Sequence, residues 1–97
     1  MGALTELYLD RNDFGGTIPS GLFTANELTA LDLHENSLIG PIPTEVGWLA
    51  KLSYLSFSEN YLTGSIPSTM SWLLKLEYLN LGENALQGTE RYFYVLF

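Results

Sequence analysis

The stretch LTALDLHENSLIGPIP, residues 28–43, decides the fold of this 97-residue chain because most of it recurs at a fixed interval. Taken alone, it fits neither an amphipathic helix nor one alternating strand. Four columns recur every 24 positions: Leu4, Leu28, Leu52 and Leu76; Leu7, Leu31, Leu55 and Leu79; Asn12, Asn36, Asn60 and Asn84; Gly16, Gly40, Gly64 and Gly88. An Ile-Pro pair follows in the first three copies, and Glu90-Arg91 replaces it in the fourth. Such strict phasing predicts a repeat architecture.

The first half of each unit predicts a strand. Leu31 and Leu33 alternate with Ala30, Asp32 and His34, which is the period of a half-buried strand with its leucines inward. Stacked copies would pair as a parallel sheet and bury the leucine columns as one core. We expect the Asn column to end each strand, because a side-chain amide offers donors and an acceptor to unpaired backbone groups. Stacked Asn side chains could also bond to one another.

The second half of each unit predicts a tight turn and a short helical return. Gly40 admits backbone angles that are closed to other residues. In the pair Ile42-Pro43, the proline holds the isoleucine extended and suits the start of a helical turn, with Val46 facing the core. Trp48 and Trp72 follow equivalent turns. We interpret them as packing on the convex side or cover for an edge, in preference to a binding role.

The complete unit, L-x-x-L-x-L-x-x-N-x-L/F-x-G-x-I-P, closely resembles the plant-type leucine-rich repeat of receptor-like kinases, receptor-like proteins and polygalacturonase-inhibiting proteins. The resemblance covers residues 3–88, as four units starting near Leu4, Leu28, Leu52 and Leu76, and leaves residues 89–97 as a non-repeat apolar tail. It implies an α/β solenoid, a right-handed superhelix with a parallel sheet on its concave side and short helical or 3-10 turns on its convex side. It also implies that the full-length protein is secreted or sits at a cell surface.

Both ends of the chain depart from the family pattern. The tail RYFYVLF, residues 91–97, is almost wholly apolar, whereas a terminal cap should have a polar outer face. We therefore expect a truncated or mispredicted gene end in preference to a cap. The opening segment MGALTELYLD shows no signal-peptide pattern, and the cysteine-bearing cap of the plant family is missing. The sequence predicts a fragment of a longer solenoid, with no targeting signal in this chain.

Composition narrows the classes of partner. The formal net charge of -7 disfavours nucleic acid and anionic membrane surfaces, because both require basic patches. No apolar run is long enough to insert into a bilayer. The absence of cysteine excludes disulfides and thiolate zinc sites. A protein, a peptide or a cation remains as the natural partner, with a basic protein or peptide as the specific candidate.

The sequence predicts no enzyme, no cofactor and no metal site. His34 is the only histidine, and its acidic neighbours Asp32 and Asp10 raise the alternatives of a metal site or a proton-sensitive switch. A single histidine without a second nitrogen or sulfur ligand is nevertheless a poor transition-metal site. Ser56 and Ser58 share the predicted concave face with His34, yet an open sheet provides no oxyanion hole for nucleophilic catalysis.

The outward positions of the concave sheet are the candidate partner-binding site. Glu35, Glu59 and Glu83 would form an acidic ladder one coil apart, and Tyr54 and Tyr78 would share one column. Tyrosine among scattered polar groups is typical of binding surfaces. The candidate residues are Glu6, Tyr8, Asp10, Arg11, Asp32, His34, Glu35, Tyr54, Ser56, Glu59, Tyr78, Asn80 and Glu83. We expect a non-catalytic module that recognises a protein or peptide; the alternative is a structural or scaffold solenoid in which the ladder only confers solubility.

Overall fold

The computed structural model describes residues 3–87 and 93–95 as a succession of short strands and 3-10 helices. The strands are β1 (Glu6–Tyr8), β2 (Gly15–Thr17), β3 (Ala30–Asp32), β4 (Ser37–Gly40), β5 (Tyr54–Ser56), β6 (Tyr61–Ser65), β7 (Tyr78–Asn80), β8 (Ala85–Gln87) and β9 (Phe93–Val95). The 3-10 helices are η1 (Ser20–Thr24), η2 (Thr44–Trp48) and η3 (Ser68–Trp72). Within the described ranges, no helix has the length and apolar character needed to cross a membrane.

The concave sheet has the strand order β1-β3-β5-β7-β9. Its first four strands run parallel and pair residues 24 positions apart, such as Leu7 with Leu31 and Leu31 with Leu55. The fourth unit continues the sheet through β7 in the same register. Strand β9 pairs antiparallel with β7 at the edge, and only its backbone is described. The expected boundary at residue 88 and the rest of the apolar tail lie outside the described residues.

A second parallel sheet, the lateral sheet, has the order β2-β4-β6-β8 and uses a different register. Its partners lie 22 positions apart, as in Gly15 with Ser37 and Ile39 with Tyr61. Strands β2, β4 and β6 each contain the turn glycine of their unit. Gly40 and Gly64 both have φ of 81°, a left-handed conformation that only glycine adopts freely. The glycine column therefore serves the turn that the sequence predicts.

The leucine columns form one continuous core between the two sheets and the 3-10 helices. Leu28, Leu31, Leu52 and Leu55 are fully buried, together with Phe57 from the third unit. Burial is less complete in the first unit, where Leu4 is 50% exposed. An apolar cavity of about 340 Å³ also lies there, between side chains of the first and second units. The core is thus tightest in the middle of the solenoid.

The Asn column joins adjacent coils through side-chain to backbone hydrogen bonds. Asn60 Nδ2 donates to the carbonyl oxygens of Leu33 (3.0 Å), Phe57 (3.1 Å) and Ser58 (3.2 Å). Its Oδ1 accepts from the backbone N–H of Leu38 in the preceding unit, at 2.9 Å. Each inner Asn therefore satisfies backbone groups in its own coil and in the coil before it. Among the described residues, no bond joins two Asn side chains; the amides bond to backbone instead.

The convex side carries the three 3-10 helices, and each begins directly after a proline with extended backbone. Val46 is fully buried, as its position in the repeat predicts. Trp48 and Trp72 are 52% and 56% exposed. A Cβ on Gly47 would lie 2.9 Å from Cε3 of Trp72 and 2.7 Å from the backbone oxygen of Thr69. The indole of Trp72 therefore packs against η2, and Gly47 is the residue that leaves room for it.

Candidate recognition surface

The concave sheet presents an ordered face that extends beyond the ends of its strands. Backbone N–H groups of Leu9, Leu33 and Phe57 donate to carbonyl oxygens of the following coil at 2.8, 2.9 and 3.0 Å. Two residues later the same pattern repeats, with Glu35 donating to Ser58 at 2.9 Å and Glu59 to Gly82 at 3.0 Å. The backbone thus fixes the spacing of every side chain on this face up to the acidic ladder.

The acidic ladder occupies a strained backbone position. Its members Glu35, Glu59 and Glu83, and Arg11 at its end, have φ of 62°, 59°, 58° and 57°. This left-handed region costs a residue with a Cβ roughly 1–2 kcal/mol, and glycine or asparagine adopts it more readily. The turn that follows each strand imposes this left-handed backbone conformation, and in all four coils the residue that adopts it carries a charged side chain.

Positive charge reaches the ladder only at its first-coil end within the described residues. Arg11 Nε lies 3.5 Å from Glu35 Oε1, and Arg11 Nη1 lies 3.5 Å from Asp10 Oδ2. Arg11 and Glu35 are largely exposed, so their ion pair contributes little. No cationic nitrogen in the part of the chain that is described lies within 4.0 Å of Glu59 or Glu83. Within the described residues, Glu59 and Glu83 are thus exposed and have no cationic partner.

A buried carboxylate lies beneath the middle of the face. Asp32 Oδ1 lies 2.6 Å from His34 Nδ1 and accepts from the His34 backbone N–H at 3.0 Å. Its Oδ2 accepts from the Tyr54 hydroxyl at 3.4 Å. The Asp32 side chain is only 8% exposed. The sequence placed Asp32 on the outward side of the strand, but neighbouring coils cover it.

Two tyrosines form a flat stack across the third and fourth coils. The rings of Tyr54 and Tyr78 are 5° from parallel, with their centroids 4.5 Å apart. Burial, and then the negative charge of Asp32, raise the pKa of Tyr54 to about 12. Asn80 Nδ2 donates to the Tyr78 hydroxyl at 3.2 Å. The stack predicted from the shared column is therefore present, and its polar edge is hydrogen-bonded.

The thirteen predicted site residues separate into three groups by burial. Those that are exposed are Glu6, Tyr8, Arg11, Glu35, Glu59 and Glu83. Those that are half-buried are Asp10, His34, Tyr54, Tyr78 and Asn80. Asp32 and Ser56 are buried, and Ser56 Oγ lies 3.2 Å from Ser58 Oγ. Asp32 still bonds to residues of the concave face, as its outward position predicts, but it and Ser56 have almost no surface to offer a partner.

Sequence reasoning missed two features of this surface. One is the left-handed backbone of the ladder; its only sequence signal is the place of each residue directly before the repeat Asn. The other is the direct hydrogen bond from His34 to Asp32, although the sequence did indicate that Asp32 is an acidic neighbour of the histidine. Its signal was present, since two residues separated by one position share a strand face.

Comparisons with known proteins agree with the fold. The family model described as Leucine Rich Repeat matches residues 3–25, 27–49 and 51–73. No curated protein sequence matches the chain significantly. Solved structures do match, and all three described next come from Arabidopsis receptor kinases or their complexes.

The LRR ectodomain of the plant membrane receptor kinase GASSHO1/SCHENGEN3 from Arabidopsis thaliana, solved in complex with Casparian strip integrity factor 2, is 42% identical over 86% of this chain, with a TM-score of 0.85. The BIR3–SERK2 complex from the same organism matches at 42% identity over 87% of the chain, with a TM-score of 0.84. The Arabidopsis receptor kinase HAESA, solved with the peptide hormone IDA and the co-receptor SERK1, is 35% identical over 86%, with a TM-score of 0.82. The chain spans 10%, 45% and 14% of the lengths of these three structures.

Proposed function

The chain belongs to the leucine-rich repeat family, and we propose on that premise that it is a non-catalytic module that binds a protein or peptide through its concave face. The observation that carries the proposal is the presence of the acidic ladder and of a stacked pair of tyrosines on one face. Glu59 and Glu83 are exposed without a cationic neighbour in the described residues, and the rings of Tyr54 and Tyr78 stack in the same two coils. Tyrosine contributes contact area at low entropic cost.

The charge of the face favours a basic partner. Carboxylates in successive coils repel one another, and a bound Lys or Arg relieves that repulsion. The stacked rings also offer a flat π surface to a cation. The overall charge of -7 works in the same direction by steering positively charged molecules towards the protein. Nucleic acid and anionic membrane are disfavoured for the same reason.

The structural relatives support recognition as the general role. One related ectodomain was solved with Casparian strip integrity factor 2, and another with a peptide hormone and a co-receptor. By analogy, we place this chain in an ectodomain-like solenoid of a longer secreted or cell-surface protein. Among the described residues the concave face is an open sheet, and we assign no reaction to it.

The alternative is a structural or scaffold solenoid with no specific ligand on this segment. Its support is the exposure of the ladder to water, which screens like charges and makes the column tolerable without a partner. The two proposed functions differ in whether particular residues on the concave face are needed for binding. A binding experiment therefore distinguishes them.

The test measures the affinity of a labelled peptide of alternating Arg and Gly by fluorescence anisotropy. We expect salt-dependent binding that falls at least tenfold when Glu35, Glu59 and Glu83 are changed together to Lys, because several exposed ion pairs worth about 0.2–1 kcal/mol each are reversed. The matched control changes Asp13, Glu27 and Glu45 to Lys, which alters net charge equally away from the ladder. Equal losses in both variants would reduce the effect to net charge and favour the scaffold.

The aromatic stack has its own control. Changing Tyr54 to Ala should weaken binding of the same peptide about tenfold, because central tyrosines contribute more than 1 kcal/mol at interfaces. Changing Tyr61 to Ala, a 65% exposed tyrosine on the lateral sheet, should leave affinity unchanged. Similar losses at both positions would contradict the assignment of the concave face.

A further inference from the structure

We propose that His34, Glu35 and Glu59 form a binding site for a divalent transition-metal ion of the zinc class. The three residues lie on adjacent coils of the concave face, and their potential ligand atoms lie within 4.8 Å of one another. Sequence alone disfavours a metal here, because one histidine supplies a single nitrogen. The structure adds an oriented ring and two converging carboxylates, which the sequence does not show.

Asp32 decides which ring nitrogen of His34 is available. Its Oδ1 lies 2.6 Å from Nδ1, and a carboxylate can only accept a hydrogen bond. Nδ1 therefore carries the ring proton, and the lone pair of the neutral ring is on Nε2. Metal-binding histidines almost always donate their second ring N–H to a carboxylate, a carbonyl or a water in this manner.

The orientation of His34 is built into the fold. The Asp32 side chain is 8% exposed, and it accepts hydrogen bonds from the His34 backbone and from the Tyr54 hydroxyl as well as from the ring. The His34 ring itself is only 20% exposed. A ring held in this way needs little reorganisation to bind an ion, in contrast to a histidine that rotates freely in solvent.

Glu35 and Glu59 supply the oxygen ligands. His34 Nε2 lies 4.0 Å from Glu35 Oε1. Ligand atoms around a tetrahedral zinc ion are about 3.4 Å apart, given metal–ligand bonds of about 2.1 Å. Both glutamates are exposed, so modest side-chain rotation closes the difference, and their backbone N–H bonds to the next coil keep the two rungs in place. The fourth position remains open to water or to a group on a bound partner.

A second arrangement of ligands is less favourable. Asp10, Asp32 and His34 also bring ligand atoms within 4.8 Å of one another. An ion there would use the Asp32 carboxylate, which already serves His34 and Tyr54, and would remove the bond that orients the ring. Arg11, at 3.5 Å from Glu35, acts as a weak competitor for the favoured site.

The test follows the ring resonances of His34 by NMR during a titration of the 97-residue chain with Zn²⁺ and no peptide. Because the chain has one histidine, the ring signals are unambiguous. We expect a saturable shift at one equivalent. Glu59→Gln should weaken binding at least tenfold, and Asp32→Asn about tenfold with a change in the ring tautomer signature. Arg11→Gln should tighten it, and Asp10→Asn should leave it unchanged.

Two results would overturn the proposal. One is a ring signal that excess Zn²⁺ does not move. The other is dependence on Asp10 without dependence on Glu59, which would place the ion at the alternative arrangement. Circular dichroism of each variant separates loss of the site from loss of the fold. The peptide assay is independent of this titration, so either proposal can fail while the other stands.

Discussion

The first coil and the two coils that follow it carry the same repeat residues in different surroundings. Leu4 is half exposed, whereas its equivalents Leu28 and Leu52 are fully buried. Asn12 lies at the surface, whereas Asn60 is buried and bonds to four backbone groups. The difference comes from the number of neighbouring coils, because each unit buries its core face against the next.

This comparison teaches that a repeat residue has no fixed energetic value. A leucine or asparagine stabilises the solenoid in proportion to the coils that cover it, and the pattern in the sequence is identical in both places. Pairs of equivalent substitutions in the first and inner coils therefore separate the effect of residue type from the effect of coil position.

The largest difference is expected between Leu52→Ala and Leu4→Ala. Removing a fully buried leucine side chain typically costs roughly 2–5 kcal/mol, whereas the half-exposed Leu4 should cost less than about 1 kcal/mol. Urea denaturation followed by circular dichroism measures both free energies of unfolding. Similar values for the two variants would contradict the proposed gradient of burial.

The next pair is Asn60→Ala and Asn12→Ala. The first leaves the buried N–H of Leu38 without its partner, whereas the carbonyls of Leu33 and Phe57 lose one donor each and still accept from the side chains of Asn36 and Asn84. The expected loss is roughly 1–3 kcal/mol. Asn12 donates to exposed backbone that water can serve, so about 0.5–1 kcal/mol is expected. The backbone amide of Leu38 should exchange its hydrogen faster in Asn60→Ala but not in Asn12→Ala. Unchanged protection of this amide in Asn60→Ala would contradict the bridging role of Asn60.

A smaller difference is expected between two glycines in 3-10 helices. A Cβ on Gly47 would meet the backbone oxygen of Thr69 at 2.7 Å, so Gly47→Ala should destabilise by roughly 1–3 kcal/mol. A Cβ on Gly21 in η1 has nothing within 4 Å, so Gly21→Ala should be neutral or slightly stabilising. Thermal unfolding compares the two, and a tolerated Gly47→Ala would mean that η2 and η3 pack less tightly than the distances indicate.

The smallest effect concerns pH and Tyr54. The folded-state pKa of about 12 lies above the ordinary value of 10.0, so the stability that the neutral phenol contributes is complete below pH 10 and is lost as the pH rises towards 12. A difference absorbance titration between the wild type and Tyr54→Phe should show a phenol that ionises in the folded chain with a pKa of about 12. Asp32→Asn should lower the pKa, since the charge of Asp32 is one of its causes. A midpoint near 10 would show that the phenol is not buried as described.

The fold could be predicted from the sequence because each repeated position of the unit has one structural role. Leu31 and Leu55 pair in register, and Gly40 takes the left-handed turn that its column predicts. The sequence could not predict contacts between residues that occupy different repeat positions in adjacent coils. The burial of Asp32 depends on Tyr54 in the following coil, which alternation within one strand cannot reveal. The ladder was found as a column of charge, but its backbone conformation is set by the turn and not by the residues that occupy it.

The two constant registers have a consequence for how such a protein changes over generations. Partners on the four parallel strands of the concave sheet, β1, β3, β5 and β7, are always 24 positions apart, and partners on the lateral sheet are always 22 apart. A recombination event that duplicates or deletes one whole unit therefore re-forms every backbone pairing with equivalent residues. The scaffold survives the event, while the succession of residues such as Ala30, Tyr54 and Tyr78 on the concave face is rewritten. New binding surfaces can thus arise by duplication or deletion of whole units, and the protein produced at each step still folds.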